Sequence, residues 1–277
     1  MMYYGARVHE AESAVKAAER RKLPVPDDVY EAQRLRAVVS DTVHLPDPER
    51  PALPDTADQA AAVIQAHAEA LRLADVTRRA ADLFADEAGQ RYIRVTQAAV
   101  PQWVNGLDRE FQILVNVVRK AAEKLPEDVT QLNPRRMNWS HPQHAAAYTK
   151  AEGAAVQLMQ LVKDRAAIAK VVGSDGGRDN DLFAVAALPE ADVERVMNKD
   201  WRRLAPVIGQ WRDLHNQPVA RWVHLVRQEE LTLSLATPGQ VRDRAAEVER
   251  WRDSTLIAHS GHSRAGARAA VAQRLAL

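Results

Sequence analysis

Between Pro101 and Leu125 the chain reads PQWVNGLDREFQILVNVVRKAAEKL, and Val104, Leu107, Phe111, Leu114, Val118, Ala121 and Leu125 recur at alternating spacings of three and four. At 3.6 residues per turn these side chains form one narrow stripe of a helix, and Asp108, Arg109, Glu110, Arg119, Lys120, Glu123 and Lys124 between them turn to water. A helix patterned this way gains its stability by packing its apolar stripe on another helix, of the same chain or of a second copy. The remaining sequence reads as a supply of such partners.

Composition agrees with helix. The 277 residues are 46% hydrophobic but only 5% aromatic, with 27% charged residues, 11 glycines and a formal net charge of +1. Alanine at this density is the strongest helix former, and a balanced charge excludes both a disordered polyelectrolyte and a strongly basic chain. With no cysteine, disulfides, thiolate nucleophiles and cysteine zinc sites are excluded. No uncharged apolar run approaches eighteen residues and none follows a basic start, so a cytoplasmic protein without a membrane segment is expected. Arginine (30) far outnumbers lysine (8), a bias that fits a GC-rich genome.

Five segments follow from the pattern. Residues 1–41 form an N-terminal helical hairpin or arm: Val8, Ala11, Val15 and Ala18 share a face, Pro24 and Pro26 end that helix, and Val29, Ala32 and Leu35 supply the next. Residues 42–55 carry four prolines and read as an extended linker. Residues 56–172 are the long-helix coiled-coil bundle. Thr56 and Gln59 fit a capping box, and Ile64, Ala68, Leu71, Val76, Ala80, Leu83, Ala88, Tyr92, Val95 and Ala99 suggest a stripe leading to Pro101, where the helix either bends or restarts. After a proline-rich loop at 126–142 that Ser140 could close as a cap, Ala147, Ala151, Ala154, Leu158, Leu161, Arg165, Ile168 and Val172 make a second seam, broken only by Arg165. The two seams predict an antiparallel pair. Gly173 ends the second helix and 173–181 is a flexible polar loop.

Residues 182–277 predict a C-terminal region of shorter helices at about 189–204, 207–216 and 218–230, interrupted at Pro206 and Pro218. LTLSL at 231–235 alternates as a short strand or ends a helix. Thr237-Pro238-Gly239-Gln240 is a helix start with cap, first-turn proline and returning glutamine, and Ser263 can cap the last helix. The fold class expected is therefore all-α: an elongated antiparallel helical bundle or coiled-coil hairpin with an arm at one end of the sequence and short helices at the other.

No contiguous motif fixes a chemistry. His141/His144 and His259/His262 are each spaced i, i+3 but lack a third ligand at a fixed spacing, and Asp175, Asp179 and Asp181 miss the register of a calcium loop. Gly-x-Ser-x-Gly and phosphate-binding glycine loops do not occur. No catalytic residue, metal site or cofactor is assigned. Tryptophan beside arginine recurs at Trp201-Arg202, Trp211-Arg212, Arg221-Trp222 and Arg250-Trp251-Arg252. Because Trp and Arg dominate interface hot spots, Trp201, Arg202, Trp211, Arg212, Trp222 and Trp251 are the candidate protein interface. Arg264, Arg268 and Arg274, with no acid after Asp253, are the candidate nucleic-acid contacts.

The function these features imply is a non-catalytic structural or assembly protein: a scaffold, adaptor or particle component, as of a phage or another large complex, acting by helix packing. Its partner is itself as a homo-oligomer, or a larger protein assembly. The alternatives are a nucleic-acid-associated accessory protein and, third, a hydrolase whose residues are not contiguous.

Overall fold

The computed structural model describes residues 2–173, 180–260 and 263–276. It is all-α, with one two-stranded sheet among the described residues. The chain divides into two compact units, residues 1–99 and 100–277.

In the first unit α1 (Met2–Arg20) and α2 (Asp27–Val43) form the expected hairpin. Lys22 adopts a left-handed φ of 55° in the turn, and Leu23 N–H returns to the Ala18 carbonyl at 3.0 Å, closing α1 before Pro24. Ala11, Ala14, Val15, Ala18, Val29 and Ala32 are buried, and Arg36 of α2 pairs with Glu12 of α1. The hairpin packs on α3 (Ala57–Ala122), where the Arg36 guanidinium lies 5.6 Å from the centre of the buried Tyr92 ring. Burial, reinforced by the Glu12 charge, pushes the Tyr92 phenol up to about 12. The proline-rich stretch is held too: Arg78 donates to the Leu45 carbonyl at 3.1 Å and to Asp47 at 2.7 Å. The compact unit that holds the arm runs through the proline-rich stretch to Ala99, and the Arg78 contacts tie that stretch to the helix that carries the hairpin.

α3 is continuous from residue 57 to residue 122 with Pro101 inside it and exposed, so the chain takes the single-helix alternative at that point. Its first half differs from expectation. Ile64, Ala68, Leu71, Val76, Ala80 and Leu83 are exposed, and of the predicted stripe only Ala88, Tyr92 and Ala99 are buried, with Val95 half-buried. Ahead of that point the helix turns an alanine face inward, with Ala74 and Ala81 buried and Ala70 and Ala85 half-buried. Arg78, which holds the residue 42–55 stretch through Leu45 and Asp47, lies on that same face between Ala74 and Ala81.

In the second unit every seam residue from Val104 to Leu125 is buried. The end of α3 is closed by Arg227, which donates to the carbonyl of its last residue, Ala122 (2.8 Å), and to those of Leu125 (3.0 Å) and Glu127 (2.8 Å) in the segment that follows. α4 (Pro142–Ala169) buries the second seam, with Val172 beyond its end half-exposed. Its cap is His141 rather than Ser140: the His141 Nδ1 accepts from His144 N–H at 3.3 Å while the rings stack at 3.8 Å, and Pro142 takes the first helical position. Gly173, at φ 107°, ends the tight turn that follows.

Beyond the undescribed stretch come α5 (Asn180–Phe183), α6 (Val193–Met197), α7 (Trp201–Asp213), α8 (Pro218–Val226), α9 (Pro238–Ser260) and α10 (Arg264–Leu275). Pro206 does not break α7: it is exposed in the second turn, where the lost bond falls near a helix start. β1 (Ala186–Ala187) and β2 (Thr232–Leu233) pair antiparallel, so LTLSL takes its strand reading. Thr237 and Gln240 form the predicted reciprocal cap, with Thr237 N–H on Gln240 Oε1 at 2.8 Å and Gln240 N–H on Thr237 Oγ1 at 3.3 Å. Ser263 caps α10 through Gly266 N–H at 3.1 Å.

The short sheet is clamped by polar side chains of three helices. Arg165, the break in the second seam, is buried and its Nε donates to the Ala236 carbonyl at 2.8 Å. Arg244 donates to Phe183 O (2.8 Å), Ser234 O (3.1 Å) and Ser234 Oγ (2.6 Å), and Asp108 accepts from Leu235 N–H at 3.0 Å. Burial, with the charge of Arg165 adding to it, brings the Arg244 pKa down to about 10 against the opposing pull of Asp108.

Candidate functional site

The tryptophans named from sequence are inside the second unit. Trp211 (2% exposed), Trp222 (1%) and Trp251 (0%) are core residues, and Trp201 is half-buried. Trp222 stands edge-on to Phe111 (6.0 Å between centroids) and to Trp211 (5.3 Å), while Trp201 stacks on Trp251 at 6.1 Å. Trp251 Nε1 donates to the Pro189 carbonyl at 2.8 Å. The arginine that meets an indole face is Arg221, 3.7 Å from the Trp211 centroid and paired with Asp181. Arg202 is exposed and Arg212 half-buried. Adjacency in sequence therefore reflects core filling in a chain poor in aromatics, and these indoles offer no exposed anchor.

Of the three C-terminal arginines, Arg268 pairs with Glu194, Arg274 pairs with Asp253 at 2.7 Å, and Arg264 is exposed. Two of the three thus tie α10 to α6 and α9, where Val196, Trp251 and Val271 form a small core with Leu204. His141 and His144 serve the cap of α4, while His262, Asp175 and Asp179 lie outside the described residues. Among the described residues no group of three His, Asp or Glu is placed to hold a metal.

A cleft of about 420 Å³ brings Glu127, Arg203, His224 and Arg227 together, none of which the sequence singled out for a shared site. Its charges are engaged: Arg227 holds the end of α3 and Arg203 pairs with Glu230 at 3.0 Å. His224 is buried, its Nε2 has no hydrogen-bond partner among the described residues, and burial pushes its pKa below 6.5 against the opposing effect of the Val207 backbone. The unfolded chain binds this proton more readily than the native one, so its contribution to stability is full above about 6.5 and is lost as pH falls below it. Chemical melts from pH 8 to 5 should show stability declining below about 6.5, and His224→Phe should flatten that decline. An unchanged slope in the variant would assign the decline to other groups.

Two further surfaces are open. On α3, Glu69, Leu73, Val76, Ala80, Leu83 and Glu87 recur at spacings of four, three, four, three and four, and all six are exposed. Leu83 is 81% exposed, Leu73 69% and the adjoining Phe84 58%. This is an a/d stripe of the kind that packs on another helix, ended at both sides by a carboxylate and pointing away from the buried alanine face. Exposed leucines scattered singly are ordinary; a phased row is not.

The other is a groove of about 630 Å³ between the end of α3 and the start of α4. Val117, Ala121 and Ala147 give it an apolar floor, and Lys120, Lys124 and Lys150, three of the chain's eight lysines, stand around it with no acidic residue in the lining. All three lysines are exposed. The sequence signal that points to this groove is the clustering of a scarce residue type, visible only once α3 and α4 are side by side.

No protein-family model, no curated protein and no solved structure matches this chain.

Proposed function

We propose that the protein is a structural or assembly component that works by packing an exposed helical face against further protein, copies of itself included. The observation that carries this reading is the inversion along α3, where alanines are turned inward while Leu73, Val76, Leu83 and Phe84 remain in water. A chain free to choose would bury the larger side chains, since each is worth about 1.5 to 3 kcal/mol on transfer from water. Leaving them outside is favourable overall only where another surface covers them. Scaffolds and adaptors of larger assemblies operate in this way, with affinity set by a few apolar anchors rather than by a pocket.

Light scattering over a wide concentration range tests it. The wild type should rise above the 30.8 kDa of one chain as concentration increases. Leu73→Glu with Leu83→Glu should weaken that association at least tenfold, about 1.4 kcal/mol, while helicity and melting temperature stay unchanged. A wild type that stays at the mass of one chain throughout would remove the reading of self-assembly.

A further inference from the structure

The apolar stripe of α3 has no good match in itself. In an antiparallel pairing that sets Leu73 against Leu83 of a second copy, Glu69 falls opposite Glu87; in a parallel, in-register pairing each glutamate faces its own equivalent. Either arrangement puts like charges into positions that flank a dry seam, which is unfavourable. The stripe needs an acceptor that is apolar in the middle and cationic at an end.

We propose that this acceptor is the lysine-rimmed groove of another copy, so that copies join head to tail through two different surfaces. This rests on the assembly reading above and specifies which surfaces meet. On α3 the exposed residues Ile113, Val117 and Lys120 repeat at four and three, and Lys124 follows four further on in the turn beyond the helix, the same sequence spacing as the stripe. From Ile113 to Lys120 and from Val76 to Leu83 the separation is the same, about 10 Å along a helix axis at 1.5 Å per residue, and Lys124 follows Lys120 at the spacing at which Glu87 follows Leu83. A stripe helix laid in the groove sets its leucines over Val117 and Ala121 and brings a glutamate to the lysines, from Glu87 in one direction and from Glu69 in the other. Across the groove, Ala146 and Ala147 of α4 are small, which leaves that wall low enough for a helix to approach. Lysine suits the rim, since its stem covers apolar surface while the ammonium stays wet. Because donor and acceptor surfaces differ, each bound copy still offers one of each, and the contact repeats into a ring or a filament.

Charge reversal separates this arrangement from stripe-on-stripe pairing. Glu69→Lys with Glu87→Lys puts lysines against the lysine groove, and Lys120→Glu with Lys124→Glu and Lys150→Glu puts glutamates against the glutamate-ended stripe. Each variant alone should associate at least tenfold more weakly than wild type in light scattering. Mixed in equal amounts they should recover association, because the mutant stripe of one fits the mutant groove of the other. Glutamine at the same positions should give a milder loss with no rescue on mixing. All five positions are exposed, and circular dichroism with melting temperatures confirms each fold. A groove variant that assembles as well as wild type, or a mixture no better than its parts, overturns the head-to-tail contact and leaves self-assembly standing. A monomeric wild type overturns both.

Discussion

Trp222→Ala should lower stability by about 3 to 5 kcal/mol, a large share of what a native chain of this kind possesses. The indole is fully enclosed and touches rings from two other helices, Phe111 on α3 and Trp211 on α7. Its removal leaves a cavity at the point where those helices meet α8, and rigid helices collapse poorly into such a space. Phe111→Ala should fall in the same range, since the ring is buried at the centre of the seam. The two losses should not add: the edge-on pair contributes about 0.5 to 1.5 kcal/mol beyond its area, which the double variant forfeits once. Urea melts of the four proteins measure this directly. The same melts separate core from interface, because a tryptophan used only for docking would leave the unfolding midpoint in place. A loss under about 1 kcal/mol for either variant would mean that the ring is not enclosed.

Asp108→Ala should destabilise by about 3 kcal/mol, the low end of the range for breaking a buried charge arrangement, since Asp108 and Arg244 are only half-buried. The carboxylate does two things. It accepts from Leu235 N–H at 3.0 Å, and its charge offsets the Arg244 guanidinium, which Arg165 crowds. Asp108→Asn keeps an oxygen acceptor for the amide and discards the charge. A loss in the asparagine variant close to that of alanine would assign the effect to charge; a loss under half of it would assign the effect to the hydrogen bond. The fold expects the former, because burial and the neighbouring Arg165 charge already lower the Arg244 pKa, and Asp108 is the charge that opposes them. If neither variant moved the urea midpoint, the clamp would contribute nothing to stability.

Helix starts and stops were legible wherever a short stretch decides them. Thr237 through Gln240 and Ser263 act as the caps their residue types predict, and Gly173 ends its segment through a backbone angle that other residues avoid. The seam from Val104 to Leu125 is read correctly for the same reason: its large apolar residues agree in phase, so only one face can go inward. Arg165 in the second seam looked like a defect and is a clamp, a distinction that depends on the Ala236 carbonyl 71 residues away.

What the sequence determined by itself is thus the all-helical class, the seam that organises the second unit and most of the caps, since periodicity and capping act over one or two turns. Only the tertiary structure decided which of two phased faces of α3 is covered between Glu69 and Glu87, and that Trp211, Trp222 and Trp251 fill the core. It alone set three lysines around one groove. These outcomes depend on which distant segment returns to lie alongside, and a spacing of three and four within one helix states which residues share a face without stating which face will be covered.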